Sequence, residues 1–151
     1  KNILILSGDV PLVSIDTMLL MLHSKHKANV LVSYTNNNFG YGRIIQEYDN
    51  INKIYCLKKI VEEKDCTEDE RKIKIINSGI YCFNCYTLCK YIYKLDNKNL
   101  QSEYYLTDIF EIINNKENNC VNIINLDKDK IHEILGINTI EQLNDLENIA
   151  I

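Results

Sequence analysis

Short apolar runs alternate with stretches of helical spacing along the chain. Asn2–Leu6 contains an unbroken apolar run, Ile3-Leu4-Ile5-Leu6, which predicts a strand buried on both faces. Ser7-Gly8-Asp9-Val10-Pro11 breaks it. From Asp16, an N-cap candidate, to Lys27, the residues Met18, Leu19 and Leu22 recur at helical spacing. Val30–Tyr34 predicts the next strand, Asn36–Gly42 a loop, and Arg43–Glu47 extended chain. A turn at Asp49-Asn50 precedes a loosely alternating strand, Ile54–Glu62. Thr67 caps a short charged helix reaching about Lys72, and Lys74–Phe83 is a strand interrupted by Asn77-Ser78-Gly79. Tyr86–Lys94 and Leu106–Asn115 predict helices, and Val121–Leu126 a strand. Thr139 caps the last helix, where Gln142, three residues on, completes a capping box. Strands alternating with helices predict an α/β fold with a mostly parallel sheet, in one domain spanning 1–151.

Composition narrows the function classes. A chain of 151 residues, 46% hydrophobic and 25% charged, suits one globular domain. The formal net charge of -4, with arginine only at Arg43 and Arg71, argues against a nucleic-acid surface. No stretch reaches the ~18 apolar residues that span a bilayer, and no basic segment leads into an apolar one as in a secretion signal. A cytoplasmic protein with no membrane partner is the expectation. The chain opens at Lys1 and runs straight into a buried strand, which suggests that the true start lies upstream. Cys82, Cys85 and Cys89 have a metal-like spacing, but no second Cys pair or His pair completes a zinc site. With Cys56, Cys66 and Cys120 they are expected to be reduced structural thiols. His23, His26 and His132 are expected at the surface.

Six segments carry candidate chemistry. In Ser7-Gly8-Asp9-Val10-Pro11-Leu12 an acid follows a buried strand, at the sheet edge where open α/β folds bind ligands. Gly8 permits close approach to the backbone, and Asp9 offers a hard oxygen to magnesium or makes a local turn before Pro11. Gly40-Tyr41-Gly42-Arg43 presents backbone amides to a sugar or phosphate oxygen, or is a tight loop between strands. Ile60-Val61-Glu62-Glu63-Lys64-Asp65 ends a strand in charges; one carboxylate could accept from sugar hydroxyls, or the run is a solvated face. Ile76-Asn77-Ser78-Gly79 sets a polar pair inside an apolar strand, and a buried Asn amide needs partners, of which a ligand can be one. Ser102-Glu103-Tyr104-Tyr105-Leu106-Thr107-Asp108 begins a helix with aromatic packing, and Asn138 of Gly136-Ile137-Asn138-Thr139 caps a helix or coordinates a metal.

In this order the six segments resemble the uridylyltransferase domain of the bacterial bifunctional N-acetylglucosamine-1-phosphate uridylyltransferase / glucosamine-1-phosphate N-acetyltransferase, from Asn2 to about Glu147. The resemblance implies a Rossmann-like nucleotide-diphospho-sugar transferase fold with its amino-terminal part missing. It implies transfer of UMP from UTP to N-acetylglucosamine-1-phosphate, supplying UDP-N-acetylglucosamine for cell-wall precursors. Asp9 and Asn138 would hold magnesium; Gly42, Glu62 and Asn77 would hold the sugar nucleotide, with Gly8 beside the nucleotide. Because the attacking oxygen belongs to a phosphate, no protein nucleophile is expected. Two departures stand out: Ser7 replaces the family's usual tyrosine, and Ser78 its usual threonine. The family's glycine-rich loop for UTP phosphates and its carboxyl-terminal acetyltransferase β-helix, which builds a homotrimer, are absent from this chain. The fragment alone is therefore expected to be inactive. Another hexose-1-phosphate nucleotidylyltransferase, or a non-catalytic protein without the phosphate loop, is the alternative.

Overall fold

In the computed structural model of the chain, residues 1–117, 121–137 and 139–150 are described, with side chains except at 145, 149 and 150. The apolar runs become strands β1 (Asn2–Ile5), β2 (Ala28–Tyr34), β3 (Arg43–Asp49), β4 (Ile54–Val61), β5 (Ile75–Asn84) and β6 (Val121–Asn125). The helices are α1 (Ile15–Leu22), α2 (Glu68–Arg71), α3 (Cys85–Tyr91), α4 (Asp108–Glu117) and α5 (Ile140–Ala150). Short 3-10 segments follow β4 at Glu63–Asp65 and β6 at Lys128–Ile134.

The strands form one sheet in the order β4-β3-β5-β2-β6, with β1 also paired to β5. The expectation of a mostly parallel sheet is corrected. Only β2–β6 is parallel among the described pairings; β1–β5, β2–β5, β3–β4 and β3–β5 are antiparallel. The pairings nevertheless send β1, β2, β3 and β6 in one direction, and α1 makes the helical crossover from β1 to β2. β5 runs against them and inserts between β1 and β2, while β4 returns from β3 as a hairpin. Alternation of helix and strand records the direction of crossovers but not which strand wedges between two others.

Side-chain alternation along β2 and β5 splits the interior into two cores. Val30, Val32, Tyr81 and Phe83 point to the face covered by Ile109, Phe110 and Ile113 of α4. Leu31, Ile80 and Cys82 point to the other, covered by Met21 of α1 and by Ile134. Phe83 and Phe110 stack with ring centroids 5.1 Å apart, and Tyr81 lies 5.3 Å from Phe110. Asn114 of α4 also donates to the Leu57 carbonyl at 2.6 Å, pinning the helix to β4.

The helix starts follow local chemistry. Ser14, rather than Asp16, caps α1: its Oγ accepts from the Thr17 N–H at 3.2 Å. The helix ends at Leu22, short of Lys27, because the Asn29 side chain recruits Ser24 and the His26 carbonyl into a turn. The caps foreseen at Thr67 and Thr139 are present. Thr67 and Glu70 exchange side-chain-to-backbone hydrogen bonds at the start of α2. Thr139 and Gln142 do the same before α5. No described helix is long and apolar enough to cross a membrane.

Cys82 is buried in the second core, whereas Cys85 is half-buried and Cys89 exposed. Among the described residues no group of three or more His, Cys, Asp or Glu could hold a metal, so the cysteine spacing builds no zinc site there. Cys120 lies outside the described residues. His23 and His26 are exposed and His132 is half-buried.

Candidate active site

The interruption Asn77-Ser78-Gly79 is a wide bulge in β5. Val30 pairs with Tyr81 and Val32 with Asn77, so Leu31 alone faces residues 78–80. Ser78 stabilises it by donating to the Leu31 carbonyl at 2.7 Å and accepting from the Ile80 N–H at 3.1 Å. Gly79 has φ +79°, and a Cβ there would lie 2.5 Å from Ser7 Oγ. Ser7 in turn donates to the Gly79 carbonyl at 3.3 Å. The bulge therefore seats the loop that follows β1, and the residue replacing the family's tyrosine is part of that seat.

A cleft of about 400 Å³ opens at this point. Asp9 from the loop after β1, Gly42, Glu62 and Asn77 from the β3, β4 and β5 segments, and Gly136 and Gln142 from the chain around the start of α5 all line it. Four of the six sequence-predicted residues thus share one wall-to-wall space. Gly8 is exposed and does not line it; an added Cβ there meets no atom within 4 Å. Asn138 lies outside the described residues. Its neighbour Ile137 donates its N–H to the Asp9 carbonyl at 2.8 Å, which brings that segment to the Asp9 loop.

Gly42, Glu62 and Asn77 meet at close quarters. A Cβ on Gly42 would come within 3.3 Å of Glu62 Oε2 and 3.4 Å of the Asn77 Cβ. The Gly42 carbonyl accepts from the Asn77 N–H at 2.9 Å. Asn77 is buried, donates to Tyr81 Oη at 2.8 Å, and accepts from the Gly79 N–H at 3.2 Å. A primary amide has a second N–H and a second lone pair, so a ligand can still be met. Burial pushes the Tyr81 hydroxyl well above the usual phenol value, with the Asn77 hydrogen bond opposing and the Glu62 charge assisting. It stays a neutral hydroxyl at any physiological pH. Glu62 Oε1 accepts from Thr107 Oγ1 at 2.8 Å, so the Tyr-Tyr-Leu-Thr-Asp segment serves this wall through a buried threonine.

Sequence reasoning missed what holds this wall. Arg43 is only 1% exposed; it pairs with Glu63 Oε2 at 2.7 Å and donates to the Tyr41 carbonyl. Glu63 Oε2 also accepts from the Gly40 N–H at 3.2 Å. One ion pair thus grips both sides of the Gly40–Gly42 loop. A positive charge opening an apolar strand was the available signal, since an arginine inside a sheet requires a carboxylate.

The opposite wall has its own hidden fastening. Glu133, 3% exposed, accepts from Ser14 N at 3.0 Å and Ser14 Oγ at 2.9 Å, at the amino end of α1. Burial pushes its carboxyl up, but hydrogen bonds from Thr17 and Ser14 more than offset this and leave it below the ordinary value. Asp9 itself is exposed, and its carboxylate has no hydrogen bond or ion pair to the described residues. Burial and the Asp9 charge together raise the Tyr41 hydroxyl.

The fold is that of Rossmann-like nucleotidyltransferases. The structure superposes on the 4-diphosphocytidyl-2C-methyl-D-erythritol synthase of Anaerococcus prevotii with a TM-score of 0.54 at 15% identity, covering 99% of this chain and 58% of that one. No protein-family model matches the chain. By sequence it is 43% identical over 150 residues to the bifunctional protein GlmU of Clostridium novyi and 38% identical over 151 residues to a probable UDP-N-acetylglucosamine pyrophosphorylase of Acanthamoeba polyphaga mimivirus. These alignments cover 96% and 97% of the chain, which bears out the resemblance read from its motifs. The chain spans 31% of the first relative's length and 57% of the second's.

Proposed function

We propose that the protein carrying this chain is a sugar-phosphate nucleotidyltransferase that transfers UMP from UTP to N-acetylglucosamine-1-phosphate, releasing pyrophosphate and UDP-N-acetylglucosamine. The observation that carries this reading is the convergence of Asp9, Gly42, Glu62 and Asn77 on one cleft, each from a different segment of a chain related to a probable UDP-N-acetylglucosamine pyrophosphorylase. Gly42 meets the sugar nucleotide through its backbone, Glu62 and Asn77 hold the acetylated sugar, and Gly8 lies beside the nucleotide.

Asp9, with Asn138, is the proposed magnesium holder. The donor chemistry fits: Asp9 presents a hard carboxylate at the cleft without a protein counter-charge among the described residues. Bound there, magnesium would neutralise phosphate charge during the displacement of pyrophosphate. The chain's own residues do the rest by orientation. Glu62, fixed by Thr107, accepts from sugar hydroxyls, and Asn77, fixed by Tyr81 and the Gly79 amide, supplies the complementary donor and acceptor. The attacking oxygen belongs to the sugar phosphate, so no side-chain nucleophile is needed. A cytoplasmic homotrimer supplying cell-wall precursors completes the reading.

The test is pyrophosphate release by the protein that carries this chain, supplied with UTP, N-acetylglucosamine-1-phosphate and magnesium. Robust release is expected. None at all rejects the reading, and faster turnover with an unacetylated hexose phosphate replaces it with that of another hexose-1-phosphate nucleotidylyltransferase.

A further inference from the structure

Phe39 is 82% exposed and yet lines the cleft beside Gly40–Gly42. Single exposed apolar side chains are common on protein surfaces, so exposure alone means little. The turn that carries this one is fastened on both sides. Asn38 donates to the Arg71 and Ile73 carbonyls at 2.9 and 2.7 Å and accepts from the Tyr41 N–H at 3.3 Å. After Phe39, the Gly40 N–H is held by Glu63 and the Tyr41 carbonyl by buried Arg43. Phe39 itself joins neither core. A ring with no internal packing role is therefore presented at the cleft mouth on a backbone that has little freedom to fold it away.

A hexose has two kinds of surface: hydroxyls around its edge and patches of C–H on its faces. The wall beside Phe39 already offers the edge partners, a carboxylate and an amide, in Glu62 and Asn77. Of the two rings that line the cleft from this loop, Tyr41 packs against the second core and Phe39 is the one that presents an uncommitted flat apolar face; binding sites commonly pair a few polar groups with an aromatic one. A uracil edge offers a carboxylate one N–H donor between two carbonyl oxygens, whereas a hexose offers several hydroxyl donors, so the carboxylate–amide pair suits the sugar better.

We propose that Phe39 is a specificity residue whose ring packs on the C–H face of the hexose of the sugar-phosphate substrate. The proposal rests on the function proposed above and adds a residue outside the motifs of the resemblance. The measurement is calorimetric titration of the protein that carries this chain with N-acetylglucosamine-1-phosphate, UDP-N-acetylglucosamine and UMP, unaltered and as Phe39→Ala, Phe39→Leu and Phe39→Trp. The alanine variant should bind both sugar ligands roughly five- to ten-fold more weakly, the scale of one aromatic contact. Leucine should recover little of this and tryptophan most of it. UMP affinity and the melting temperature should stay unchanged, because the ring is exposed and packs on no core.

Failure of the unaltered protein to bind either sugar ligand would sink the underlying reading of the site. Sugar binding that is equally tight with alanine at 39 would overturn the Phe39 proposal alone. So would a loss that appears equally with UMP, which assigns the ring to the base, or full recovery by leucine, which leaves no role for an aromatic face.

Discussion

The two walls of the cleft are built on different principles. On the wall of Gly42, Glu62 and Asn77, the Gly40 N–H and the Tyr41 carbonyl are held by the Arg43–Glu63 pair, and the Gly42 carbonyl by the Asn77 N–H. On the wall of Asp9, the carboxylate is exposed and without a side-chain partner among the described residues, although the loop behind it is anchored by Glu133, Ser7 and Ile137. Under the proposed function, the contrast separates two recognition problems. A sugar is told from its isomers by hydroxyl positions, so its wall has to be rigid before binding. A cation is chosen by charge and oxygen donors, and a carboxylate already neutralised by the protein would serve it poorly.

The strongest way to break the comparison is to unfasten the rigid wall. Arg43→Ala removes the buried half of the pair, leaves Glu63 with Arg71 at 3.9 Å and opens a void; it should cost about 3 kcal/mol in urea unfolding, the lower end for breaking a buried pair. An effect below about 1 kcal/mol would mean that the pair does not hold the wall. Asp9→Asn is its opposite: stability should change by less than about 0.5 kcal/mol, while pyrophosphate release with magnesium falls on the order of a hundred-fold.

Glu133→Gln keeps the shape but loses a charge-assisted bond, and should cost about 1.5–3 kcal/mol at neutral pH. The sign with pH follows from the lowered folded-state carboxyl. Its contribution is fully present above the unfolded value of about 4.3 and is lost as pH falls through the folded value, because the unfolded chain takes up the proton first. Urea unfolding of the two proteins from pH 7 down to pH 3 should therefore converge. The smallest effect is expected for Thr107→Val, about 1 kcal/mol or less of stability, with a raised KM for the sugar phosphate and little change in kcat, since Glu62 would lose only its orienting donor.

Much of the fold was legible because its elements are local. The Thr67–Glu70 and Thr139–Gln142 caps, and the apolar runs of β1, β2 and β6, each follow from a few neighbouring residues. The strand directions were not legible, since β5 owes its antiparallel neighbours to insertion between β1 and β2. The same division applies to the cleft. Asp9, Gly42, Glu62 and Asn77 stand out as polar or glycine positions at strand ends or interruptions. Arg43–Glu63 and Ser14–Glu133 join residues 20 and 119 positions apart, and such pairs leave no periodic trace. Ser14 was missed as a cap because Asp16 offered an equally good residue type two places on.

The fit of Gly79 against Ser7 limits how this chain can trade parts with its relatives. The two positions lie 72 residues apart but share one space, filled by a hydroxyl where a methyl would otherwise stand. A side chain at 79 meets the Ser7 hydroxyl at once, while a larger residue at 7 has only to turn its side chain away from the bend. A recombinant therefore tolerates a new amino-terminal segment as long as the bend keeps its glycine, and fails when position 79 gains a side chain.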